Sequence, residues 1–61
     1  MTNLSQKELT ALEETLGFEQ VLVKKYTTIS EQCTDPVIKS RMTQIAGKHQ
    51  QHYDKLIGYL K

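Results

Sequence analysis

Sixty-one residues with 8 Lys and Arg against 7 Asp and Glu, 2 His, 1 Cys and no Trp have a formal net charge of +1. They make one small domain, without the basic field or aromatic platform that nucleic-acid binding needs. The longest apolar run is Val21-Leu22-Val23, far short of the ~20 residues of a membrane span, and no basic segment leads into an apolar stretch at the N-terminus, so a soluble chain without a signal peptide is expected.

Ser5-Gln6-Lys7-Glu8 fits a capping box, and Leu4 and Leu9 stand where a hydrophobic staple would sit, so a first helix is predicted from about Gln6 to about Cys33. Asp35-Pro36 then joins a favoured N-cap to a residue whose missing N–H costs nothing in a first helical turn. A second helix follows to about Leu60. The short turn forces the two to run antiparallel, and the whole of 1–61 reads as a single helical hairpin of the all-α class. Gly17, Gly47 and Gly58 interrupt these helices. Each costs up to about 1 kcal/mol relative to Ala, either to let helices approach closely or as a tolerated surface defect, while Gly17 could also mark a helical bulge.

In helix two, Ile38, Met42, Ile45, His49, His52, Leu56 and Tyr59 recur at alternating steps of four and three, the spacing of a packing seam. The matching series in helix one is Leu9, Leu12, Leu16, Glu19, Val23, Tyr26, Ser30 and Cys33. With the turn at Thr34-Asp35, Glu19 comes to the level of His49 and His52. Groups of this kind are costly to bury alone, so they must satisfy one another or bind something. One outcome is a Glu–His hydrogen-bond network that fixes register. The other is a site for a divalent metal, Zn or Fe, with Glu19, His49 and His52 as ligands.

A second stripe of Phe18, Leu22 and Ile29 in helix one with Tyr53, Ile57 and Leu60 in helix two makes each apolar face wider than one partner helix covers. A homodimer forming a four-helix bundle answers that excess. Lys24, Lys25, Lys39 and Arg41 read as a solvated face, Cys33 as a small buried hydrophobe, and Tyr26, Tyr53 and Tyr59 as amphipathic packing residues. The lone cysteine cannot form an internal disulfide, which suits a reducing compartment and leaves an intermolecular bridge open.

The stretches Glu19 to Tyr26, Asp35 to Lys39 and His49 to Leu56, in that order and spacing, resemble the small Coat F-type spore coat proteins, which look like half of a ferritin-like bundle. The resemblance implies a ferritin-like four-helix bundle made by dimerisation. It also implies a structural, non-enzymatic role in the spore coat among other coat proteins, after assembly from the cytoplasm. Glu19 matches the carboxylate of the first ferritin-like helix and His52 the histidine of the second helix's Glu-x-x-His motif. His49 stands where that motif has Glu, which removes a bridging carboxylate and with it the basis for oxidase chemistry. The alternatives are a ferritin-like metal-binding protein or oxidase handling iron and dioxygen or peroxide, and a helical adaptor that docks a partner helix on the second stripe.

Overall fold

The protein is described by a computed structural model that covers residues 4–60; residues 1–3 and 61 of the chain lie outside the description. Helix α1 runs Gln6–Gln32 and helix α2 runs Pro36–Ile57, followed by a 3-10 turn over Gly58–Leu60. Both helices start where side chains satisfy the first free amides. Ser5 Oγ accepts from the Glu8 amide at 3.1 Å and Glu8 Oε1 accepts from the Ser5 amide at 3.0 Å, which completes the expected capping box. Asp35 Oδ1 accepts from the amides of Val37 and Ile38 at 2.8 and 3.2 Å, while Pro36 occupies the first helical position. Leu4 and Leu9, the expected staple pair, are both half-buried.

The two helices pack against each other as a hairpin. The chain measures 46 × 15 × 11 Å with a radius of gyration of 14.3 Å, whereas a compact chain of this length would have about 10.5 Å. Such a rod has little interior. Among the described residues, Leu16 and Ala46 are the hydrophobic residues that are buried, joined by Glu19 and Ser30, and no side chain is fully enclosed.

Near the turn the packing is polar. Thr43 Oγ1 donates to the Lys39 carbonyl at 2.9 Å and lies 2.7 Å from the buried Ser30 hydroxyl. Lys39 Nζ reaches across to the Ser30 carbonyl at 3.1 Å. The last turn of α1 contains no basic residue of its own, so a cation from α2 supplies the positive charge that the negative end of the helix favours.

The seam of α1 is buried or half-buried from Leu9 to Cys33. That of α2 is looser at its ends than its spacing suggests: Ile38 is 48% exposed and Tyr59 50%. Ile38 sits beside the point where α1 stops. Tyr59 lies three heptads farther on, and a row of side chains seven apart drifts about 20° per heptad around a straight helix. The glycines do not serve close approach, because a Cβ placed at Gly17, Gly47 or Gly58 would meet nothing within 4 Å. Helix α1 continues through Gly17 without a bulge.

Gly47→Ala should therefore raise the unfolding free energy by about 0.5 to 1 kcal/mol, as exposed helix-interior sites do. Asp35→Ala should lower it by about 1 kcal/mol through loss of the α2 cap. Urea unfolding followed by circular dichroism measures both. Acid should fray the start of α1 first. The Ser5 amide, and then the Ser5 hydroxyl contact, hold the Glu8 carboxyl below its ordinary value of 4.5. A depressed carboxyl contributes stability above its unfolded value that is lost as pH falls through its lower folded value. Amide exchange at residues 5–9 should accordingly rise below about pH 4.5, and Glu8→Gln should reduce that acid dependence.

Candidate metal centre

Helical spacing builds this site from three positions on two elements. Glu19 lies at the middle of α1 and points into the seam, where it is 8% exposed. His49 and His52 stand one turn apart on α2, so their side chains share one side of that helix. The hairpin brings all three together, at the level expected from the turn. Glu19 Oε1 is 2.8 Å from His49 Nδ1, and Glu19 Oε2 is 3.0 Å from His52 Nδ1.

An ionised carboxylate has no proton to donate, so His49 donates its Nδ1–H to Glu19 Oε1, while His52 Nδ1 stands against Oε2 as an ion-pair contact. Each carboxylate oxygen thus has an imidazole nitrogen within 3.0 Å, and among the described residues no buried side-chain polar atom lacks a partner. The two imidazoles differ in surroundings. The His49 side chain is 23% exposed and the His52 side chain 60%. His49 stacks on Tyr26 with ring centroids 6.0 Å apart and planes 12° from parallel, and His52 meets the His49 ring edge-on at 5.8 Å. Lys25 Nζ lies 5.7 Å from the Tyr26 ring centroid, a cation on the aromatic that flanks His49. Tyr26 thus helps to fix His49 in place, a role that its helical spacing suggested only as generic packing.

One ligand atom from each of Glu19, His49 and His52 falls within 4.8 Å of the others. Donors around a tetrahedral zinc with bonds of about 2.0–2.2 Å stand roughly 3.3 Å apart. Modest side-chain rotation therefore gathers these donors to coordination distance, and the mixture of imidazole and carboxylate suits Zn or Fe better than Ca or Mg. The hydrogen bonds already in place make an equally coherent register lock without a metal. The other candidates lie elsewhere. Cys33 caps α1 and its thiol donates to the Asp35 carbonyl at 3.6 Å. The Tyr53 hydroxyl accepts from Gln20 Nε2 at 3.2 Å. Lys39 is engaged at the end of α1, a contact with no hydrophobic or spacing signal to announce it.

Comparison of the chain with family models, curated proteins and solved structures finds no match. The likeness to Coat F-type proteins accordingly rests on the quoted segments alone.

Removing the buried carboxylate leaves a cavity and an unpartnered, half-buried His49 donor, so Glu19→Ala should lower the unfolding free energy by about 2 to 3 kcal/mol. His52→Ala, at a side chain 60% exposed, should cost less than about 1 kcal/mol. Chemical denaturation of both variants checks the ranking, and equal costs would contradict the central place given to Glu19.

Proposed function

We propose that this chain is a small structural protein that assembles into a helical bundle and holds a divalent metal, zinc before iron, at the Glu19–His49–His52 cluster. The observation that carries the reading is the convergence of two imidazoles on the two oxygens of one buried carboxylate. Clusters of buried ionisable groups concentrate at functional sites.

A structural role suits the donor set better than a catalytic one. The cluster contributes a single carboxylate, whereas the dinuclear iron sites of ferritin-like bundles draw on several. Bound zinc would cross-link elements and stabilise the fold that presents its ligands, without redox chemistry. The residues themselves do the rest: Glu19 fixes both rings, Tyr26 stacks on one of them, and the hairpin holds the set at one level. The spore coat is the setting we propose, on the strength of the resemblance to Coat F-type proteins. The hairpin's length and exposed apolar side chains suit pairing into a four-helix bundle. Among the described residues no helix is long and apolar enough to cross a membrane.

Zinc titrated by calorimetry into protein purified without chelator should bind. Affinity should fall at least 100-fold in His52→Ala, and by 10- to 100-fold in Glu19→Ala, the range found when a group that orients a metal ligand is lost. Acidification should also weaken binding, because protons compete for the imidazole nitrogens. Absence of zinc or iron uptake by the wild-type protein would overturn the reading.

A further inference from the structure

The hairpin has two unlike faces. The Gln20–Tyr53 hydrogen bond crosses one of them, which also carries Thr27 and Gln50. Successive residues are turned about 100° around a helix. Phe18 and Leu22 therefore leave Glu19 on the side opposite Gln20, and His52 leaves His49 on the side opposite Tyr53. The second face accordingly carries Phe18, Leu22 and Ile29 from α1, with Ile38, Ile45 and His52 seven residues apart on α2 and Tyr59 in the turn beyond it, whereas Tyr53, expected in one stripe with Phe18, lies on the first face. Phe18 is 68% exposed and Ile29 37%.

The accessible surface measures 4890 Å². A compact monomer of 7.0 kDa would expose about 4,000 Å². The excess is roughly the 800 Å² that each partner buries in a standard interface. A second copy of this chain fits the face, because each hairpin brings the same uncovered stripe and the same need for an interior. A two-fold pair that overlaps along its whole length has its axis at mid-length. Glu19 is the middle residue of α1, Gln6–Gln32, so the clusters of both copies come to that axis.

The chemistry of the cluster adds a second constraint. Each Nδ1 faces Glu19, that of His49 through a hydrogen bond and that of His52 at 3.0 Å, so Nε2, across the ring from the carboxylate, is the nitrogen each imidazole leaves for a metal. A metal bound at Nε2 keeps the His49–Glu19 hydrogen bond and the His52 contact, whereas a metal bound at Nδ1 must displace them. Two imidazoles supply only half of a tetrahedral shell.

Resting on the metal-binding reading above, we propose that the site is shared. Two copies pair through the face that carries Phe18, Ile29 and His52, and one zinc ion is held at the two-fold axis by Nε2 of His49 and His52 from both. Glu19 is then a positioning residue that holds Nδ1 of each ring towards itself rather than a ligand. Metal uptake and pairing become one linked equilibrium, in which each strengthens the other by the same factor.

Sedimentation equilibrium of the full chain, with zinc and with chelator, tests this together with cadmium NMR of nitrogen-labelled protein. The expected result is one zinc per two chains, a dimer dissociation constant at least tenfold lower with zinc, and cadmium coupling to Nε2. His52→Ala should lose the tightening of the dimer by zinc. Phe18→Asp should weaken pairing at least tenfold, while Thr27→Asp on the opposite face leaves it unchanged. Zinc bound by monomers, one zinc per chain with pairing unaffected, coupling to Nδ1, or undisturbed pairing in Phe18→Asp would each overturn the shared site while leaving metal binding itself intact. A wild-type protein that takes up no metal would overturn both.

Discussion

A buried carboxylate with an imidazole nitrogen against each of its oxygens, midway along a two-helix rod, is the constraint around which this structure is arranged. Between this level and the polar turn, and towards the open end, the seam is mostly aliphatic, and such side chains could slide past one another with little penalty. Glu19 cannot. A shift of one helical turn would leave its oxygens among Leu and Val, at the several kcal/mol that an unpartnered buried carboxylate costs. The contacts at 2.8 and 3.0 Å therefore set the register, and the Ser30–Thr43 contact repeats the same specification near the turn. Polar groups give this hairpin its alignment, while its few buried aliphatic residues supply cohesion.

That cohesion is thin. Among the described residues only Leu16 and Ala46 of the hydrophobic ones are buried in the single chain, whereas Phe18, Val21, Ile29, Val37, Ile38, Tyr59 and Leu60 are more than a third exposed. A chain of this size cannot enclose a core between two parallel rods, since each helix offers the other only one side. The local signals are strong in compensation. The capping box, the Asp35 cap and the Lys39 contact to the last turn of α1 satisfy helix ends that would otherwise depend on water. They secure the helices individually and leave the outer apolar stripe uncovered.

The parts legible in the sequence were those governed by local rules or by a single period. Ser5-Gln6-Lys7-Glu8 and Asp35-Pro36 announce helix starts through contacts within four residues. Glu19, His49 and His52 could be brought together because an antiparallel hairpin with a short turn fixes which levels meet. The role of Tyr26 against His49 was not legible, since an aromatic in a seam reads as packing whatever it touches. Nor was Lys39, whose reach to the Ser30 carbonyl depends on the pitch between two helices rather than on spacing along one. The exposure of Ile38 and Tyr59 escaped for a related reason. An alternating count of four and three describes a coiled seam, and straight helices let such a row drift out of contact. The glycines carried no usable signal, because a missing side chain leaves the same mark whether a neighbour approaches or solvent does.

The same geometry explains why the cluster is asymmetric in exposure. Glu19 sits in the seam proper, His49 beside it, and His52 turned by about 60° towards the outer face, as three residues of helical rotation require. An imidazole pair at i and i+4 would have kept both rings closer to the seam and sealed the carboxylate from solvent. With i and i+3, one ring is enclosed against Tyr26 and the other opens on to the face that carries Phe18. The step between the histidines thus connects the polar interior of one hairpin to the surface most in need of a cover, and it is the reason register, ligand presentation and assembly bear on the same three side chains.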